Sequence, residues 1–384
     1  MSRFQSIAKD AVELRHHLHQ NPEHTWQEVE TAKLIRQRLD DLEIPWKACA
    51  KTGTLAYLAK NATGPNIGLR CDIDALPLTE NPALPHASNN PGCMHACGHD
   101  GHTAVLWGMA TWLKEQESKL SNPVTLVFQP AEEAGHGARE MIKDGALENI
   151  DVIYGWHNWP GIPRGKAVCP DGPIMGGNAI FKIELKGKGG HASQPELCRD
   201  PILAGSAIAL ELQSIVSRRV PPQRSAVVSL TSFDGKSGHT IIPETVTLMG
   251  SLRFDNLNVR EILFDGVLSI ATSVAKAHNV EADVQVEPCY GMTINHAEPA
   301  QKMRSSLHKV LGDSWQDSEI LLPIMGSEDF SYYLEKIPGA FALIGMSEGD
   351  HYTFPCHSPH YQFNDAIVPE AMKILAQLVG ASPE

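Results

Sequence analysis

Three histidines, one cysteine and one aspartate fall within eight positions of the segment Met94-His95-Ala96-Cys97-Gly98-His99-Asp100-Gly101-His102. Thiolate and imidazole are the usual ligands of zinc and related metals. Gly98 and Gly101 let the backbone turn neighbouring side chains toward one point. A polar loop with incidental histidines would explain one such residue, but this density favours a metal site. A second segment, Gln129-Pro130-Ala131-Glu132-Glu133, follows the apolar run Val124–Phe128 directly. In an open parallel sheet, ligands bind beyond the carboxyl ends of the strands, which puts both acids on the active face. Adjacent carboxylates at a metal can divide labour, one coordinating and the other moving a proton. A solvated helix N-terminus, where glutamate suits the dipole, is the competing explanation for the pair alone.

Two further segments add ligand-type residues. Trp156-His157-Asn158-Trp159 comes just past a strand-like stretch, and Cys356-His357-Ser358-Pro359-His360 lies in a loop before the last helix, stiffened by Pro359. A lone histidine at either place is more often a packed or capping residue. Together the four segments favour a metal site. Arg70-Cys71-Asp72-Ile73-Asp74-Ala75-Leu76-Pro77 puts acids after another strand, where they could orient metal-bound histidines or simply cap a turn. Gly187-Lys188-Gly189-Gly190-His191-Ala192-Ser193 is a glycine-rich loop with one histidine that lacks the spacing of a phosphate-binding P-loop.

The elements that must position these residues alternate. Residues 4–42 read as two helices broken near Asn21-Pro22. Ile67–Arg70, Val124–Phe128 and Val152–Trp156 read as strands, and Thr103–Leu113 and Ala138–Leu147 as helices. This alternation predicts an α/β fold with a mostly parallel sheet flanked by helices. The middle of the chain reads strand Ala179–Lys186, helix Pro201–Ser217, strands Ala226–Thr231 and Thr245–Phe254, helix Val259–His278 and strand Ala282–Val286. That order, βαββαβ, is the ferredoxin-like split unit. Strand Ala340–Ile344 and helix Asp365–Val379 return to the first style. The expectation is a discontinuous catalytic domain, 1–177 and 288–384, with 178–287 inserted.

The chain has 384 residues, above the roughly 250–300 at which a single core stops growing. Its net charge of −13 repels phosphate backbones, which argues against a nucleic-acid partner. The first residues lack the apolar core of a signal peptide, and no run of apolar residues is long enough for a membrane span. A cytoplasmic location is expected, with the eight cysteines as thiols or ligands rather than disulfides.

These segments, in this order, resemble the M20 family of metallopeptidases and amidohydrolases. The resemblance is strongest to the branch of hippurate hydrolases, N-acyl-L-amino acid amidohydrolases and auxin-conjugate (IAA-amino acid) hydrolases. It runs from His16-His17-Leu18-His19-Gln20-Asn21-Pro22-Glu23 to His357-Ser358-Pro359. It implies a binuclear centre of two divalent ions (zinc, manganese, cobalt or nickel). Cys97 would bridge the ions, with His99, Glu133, His157 and His357 as the other ligands and Glu132 as general acid/base. Asp74 matches an acid supporting the centre. His191 matches a histidine of the inserted lid domain that reaches a neighbouring subunit's site and helps hold the scissile carbonyl oxygen. The implied protein is a homodimer through its lid that hydrolyses the amide of a small N-acyl amino acid. Thr240, in His239-Thr240-Ile241-Ile242-Pro243, stands where relatives often carry asparagine. Arg253 and Glu328-Asp329-Phe330 also match, with structural roles at least as fitting. A dipeptidase or other small-amide hydrolase on the same site, a non-catalytic metal-binding homologue, and a cysteine hydrolase using Cys97 are the alternatives.

Overall fold

Strands buried on both faces read as continuous apolar runs, because helices cover each side of a parallel sheet. Ile67–Asp72 and Val124–Gln129 are buried throughout, and so is Gly339–Ser347 up to its last residue. In the computed structural model, which describes residues 1–81 and 84–383, these strands form the middle of a seven-stranded sheet. Val124–Gln129, Ile67–Asp72, Val152–Pro163 and Gly339–Ser347 are neighbours in that order and all parallel. Trp46–Cys49, Gly53–Leu58 and Ala167–Val168 add antiparallel flanks. The expected mostly parallel α/β sheet is therefore what the chain forms.

The chain divides into two compact units. The first comprises Met1–Ile174, Ile294–Leu322 and Asp329–Glu384; the second comprises Met175–Thr293 and Pro323–Glu328. In the first, helix Arg3–Gln20 opens with a capping box between Ser2 and Gln5. It packs with helix Val368–Leu378 on helix His99–Glu115, which is buried along almost its whole length. In the second, the order is strand, helix, strand, strand, helix, strand, and the four strands form one antiparallel sheet. Gly177–Lys186 lies inside it, between Thr245–Phe254 and Glu281–Pro288, with Ala226–Asp234 outermost. Alternate residues of Gly177–Lys186 are buried against helices Pro201–Glu211 and Leu257–Ala277. Asp200 and Asn256 cap those helices through their side chains.

Several elements differ from the sequence reading. Strand Val152–Trp156 continues to Pro163, because pairing with Gly339–Ser347 carries it through Pro160-Gly161. His157 thus stands within a strand rather than past one. The helix expected over Ala138–Leu147 is only Gly137–Lys143, ending before Gly145 at φ 85°. Helix Pro201–Ser217 stops at Glu211 and gives way to a π turn at Ile215–Arg219. Helix Ala297–Leu311 was not expected. No helix among the described residues is long and apolar enough to cross a membrane.

Candidate metal centre

The parallel strands deliver their carboxyl ends to one region of the first unit. Ile67–Asp72 ends in Asp72 and leads to Asp74, and Val124–Gln129 leads to Pro130–Glu133. The latter turn departs from ordinary backbone: Ala131, Ala134 and His136 all have positive φ, at 54°, 61° and 56°. The histidine-rich segment is not a loop throughout. Gly98, at φ 96°, ends the loop, and His99 opens a helix. His357 has φ 68°, and its N–H donates to the Ala96 carbonyl at 2.8 Å, tying the two ligand-rich segments together.

Two groups of potential ligand atoms, each within 4.8 Å of one another, share Cys97: one is Cys97, His99 and His157, the other Cys97, Glu133 and His357. Cys97 Sγ lies 3.3 Å from His157 Nε2, and Glu133 Oε1 lies 3.1 Å from His357 Nε2 and 4.0 Å from His99 Nε2. Glu132 joins His99 and Glu133 in a third group. The ring orientations suit ligation. His157 Nδ1 donates to the Asn158 carbonyl at 2.6 Å and His99 Nδ1 to that of Asp74 at 2.9 Å, which turns both Nε2 atoms inward. His99 Nε2 is buried and makes no hydrogen bond.

Both carboxylate oxygens of Asp74 are engaged. Oδ1 accepts the Glu132 N–H and Oδ2 the Glu133 N–H, each at 3.0 Å, and Thr25 Oγ1 donates to Oδ2 at 2.8 Å. Asp74 therefore fixes the backbone from which Glu132 and Glu133 project. Burial alone opposes a charge on His99, yet Asp72, Asp74 and Glu133 outweigh it and push the imidazole up to about 10. Burial holds His157 well below its usual value, so it stays neutral. A hydrogen bond to Cys356, followed by burial and the negative charges of Cys356, Glu133 and Glu132, holds the Cys97 thiol up. An orphaned ring nitrogen among acids, beside sulfur and imidazole donors, fits a divalent cation.

Other residues of the same segments do different work. His102 uses both nitrogens within the core, facing Asp72 Oδ1 at 2.6 Å and Asn158 Oδ1 at 2.7 Å. Arg70 bonds Asp72 at 2.7 Å, Asp329 at 3.0 Å and Gln129 at 2.8 Å, a buried ionic frame behind the site. His95 is buried and stands in none of the ligand groups, and His360 faces Asn81 Nδ2 at 3.1 Å. His191 belongs to the second unit, exposed on a two-stranded ribbon with Ile241–Ile242. Its Nδ1 faces the Ser193 N–H at 3.1 Å, which leaves the ring proton on Nε2. Thr240 contributes its carbonyl to the Ala192 N–H at 2.9 Å. In the same unit, Arg253 bonds Ser327 Oγ at 3.0 Å, a structural contact, and Glu328 is buried. Thr25, which donates to Asp74, Glu28, which accepts the Ala131 N–H, and Tyr361, which accepts from Asn158 Nδ2, were not singled out from the sequence, since no local pattern marks a supporting residue whose partner lies 49 to 203 positions away.

The model of peptidase family M20/M25/M40 matches residues 68–381. An N-acetyl-L-cysteine deacetylase of Bacillus subtilis is 38% identical over 96% of this chain and 87% of its own length. A hippurate hydrolase of Campylobacter jejuni is 37% identical over 95% of this chain and 94% of its own. Among solved structures, a dinuclear metal binding peptidase from the M20 family, also of Bacillus subtilis, superposes with a TM-score of 0.84 at 31% identity, covering 98% of each chain. The chain belongs to peptidase family M20/M25/M40. Within that family it is an amide-hydrolysing enzyme, with relatives that act on N-acyl amino acids.

Proposed function

We propose that this chain hydrolyses the amide bond of a small N-acyl amino acid, releasing a carboxylic acid and the free amino acid. The observation that carries the reading is the pair of ligand groups sharing Cys97, with Glu132 beside them. Cys97, His99 and His157 would hold one divalent ion and Cys97, Glu133 and His357 the other, with zinc, manganese, cobalt or nickel suiting the donors. When bound, such ions supply Lewis acidity, making water acidic enough to ionise near neutral pH and polarising a carbonyl. Glu132 takes the proton from the attacking water and returns it to the leaving nitrogen. Asp74 keeps Glu132 and Glu133 pointed to their separate tasks.

His191 donates its Nε2 proton to the carbonyl oxygen as negative charge builds there, a contribution of about 3–4 kcal/mol for a well-placed donor. It is supplied by the second copy in a homodimer formed through the second unit, which acts as a lid. Exposed apolar side chains on that unit, among them Leu203 and Leu210, support a covered surface. The activity is tested by assaying N-acetyl and N-benzoyl amino acids with chelated protein, then with each metal restored. Turnover that returns with metal is expected; turnover indifferent to chelation refutes the assignment. A monomer by light scattering would remove the partner's His191 from the scheme.

A further inference from the structure

Three consecutive amides precede or belong to the acidic pair, and each is held by a buried carboxylate oxygen. Those of Glu132 and Glu133 go to Asp74. That of Ala131 goes to Glu28 Oε1, at 2.9 Å, across 103 positions of sequence. Glu28 is completely buried. The same oxygen accepts the Trp26 N–H at 2.9 Å, and Oε2 accepts Thr52 Oγ1 at 2.9 Å. Glu28 is the N-cap residue of helix Val29–Asp41, yet its side chain makes no bond to that helix. A buried carboxylate is costly unless hydrogen-bonded, and this one spends its acceptors on a turn rather than on its own cap.

The recipient explains the arrangement. Ala131 has φ 54°, a left-handed backbone that glycine adopts freely and a residue with a Cβ adopts only under constraint. The residues beside Glu28 reach the same turn: Trp26 Nε1 donates to the Gly135 carbonyl at 3.0 Å, and Thr25 Oγ1 lies 3.0 Å from that of Glu133. We propose that Glu28 is a positioning residue for the Glu132–Glu133 pair: its carboxylate holds the Ala131 amide and so fixes the strained turn from which both side chains project. The inference rests on the reading that Glu132 moves a proton while Glu133 ligates.

The test uses the full chain carrying Glu28→Asp, Glu28→Gln, or Glu28→Asp together with Ala131→Gly. Aspartate withdraws the carboxylate by one methylene. Its kcat on N-acetyl amino acids falls about 100-fold while KM stays within about threefold, the cost of a misplaced reacting group. Exchange of the 131–133 amides with deuterium quickens by about tenfold or more, with strand Gly339–Ser347 unchanged. Glutamine keeps an oxygen facing Ala131, so kcat stays within about fivefold of the parent. Glycine at 131 takes the left-handed backbone unaided and recovers about tenfold of the loss. A carboxylate that merely stabilised the fold would lower the melting temperature alike with or without that glycine and leave kcat per folded molecule untouched, which overturns the proposal. Unchanged exchange at 131–133 in Glu28→Asp also overturns it. Faster exchange there, in a chain whose parent hydrolyses no N-acyl amino acid, upholds the positioning role and refutes the functional reading.

Discussion

Replacing Gly98 with alanine strikes the backbone between two candidate ligands, Cys97 and His99. A Cβ at this position would lie 2.2 Å from Asn158 Oδ1 and 2.6 Å from Tyr361 Oη. Neither neighbour can swing away cheaply. Asn158 is buried, with Oδ1 on His102 at 2.7 Å and Nδ2 donating to Tyr361 at 2.8 Å. The left-handed backbone at φ 96° costs alanine roughly 1–2 kcal/mol, and forcing a methyl into a packed core costs about 1–3 kcal/mol more. The sum is roughly 2–5 kcal/mol of stability. Relieving the contact requires a shift of about 1 Å, well beyond the tolerance of about 0.2 Å in metal–ligand distances, so metal affinity should fall by at least about tenfold. Gly165→Ala is the control: that glycine also has positive φ, at 82°, but nothing lies within 4 Å of its would-be Cβ. It should lose only the backbone share and keep its metal. Urea unfolding followed by tryptophan fluorescence gives the first quantity and competition with a chelator the second. A Gly98→Ala protein within about 1 kcal/mol of the Gly165→Ala control, with metal affinity within about threefold of the parent, would refute the packing argument.

Glu132→Gln should keep its fold and metal content while kcat drops by about 10²–10⁴-fold, and near-normal turnover would remove Glu132 from the proton-transfer role. Metal uptake by the chelated protein at neutral pH should release one proton from Cys97 and one from His99, since both hold protons well above neutrality when metal is absent. Affinity must then rise with pH, and titration calorimetry in two buffers of different ionisation heat checks the count. Burial opposes a charge on His19, but Asp100 and Glu80 outweigh it and raise it to about 9. A raised pKa means stability fully present below about 6.5 and lost as pH climbs through about 9. The deficit of His19→Gln should therefore shrink by about 3 kcal/mol over that interval; a deficit constant in pH, by urea unfolding, contradicts it.

The parallel strands were legible because burial on both faces leaves uninterrupted apolar runs, as in Val124–Phe128. The alternation within Thr245–Phe254 likewise gave that strand its observed bounds. Short flanking strands such as Trp46–Cys49 carry too few residues for a period to show. Strand Val152–Pro163 ran past its expected end because a neighbour in the sheet, not local propensity, sustains it. At the site, residue type marked the four segments, and only the family resemblance named Cys97, His99, Glu133, His157 and His357 within them; the structure places these five in two ligand groups that share Cys97. Residue type could not separate His102 from His99. The two differ in whether a ring nitrogen is left over once the core is satisfied, and only distances decide that. Glu28 was invisible for a similar reason, its partner lying at a remote turn.

The interior place of Gly339–Ser347 has a consequence for how the protein is made. This strand sits between Val152–Pro163 and Ala167–Val168, so a segment synthesised long after both must slot between them. Until then Val152–Pro163 presents an unpaired, largely apolar edge, a standing invitation to mispairing. With His357 later still, a chain made only as far as the second unit has neither a closed sheet nor a full set of candidate ligands, and the enzyme gains competence only after residue 357 has emerged.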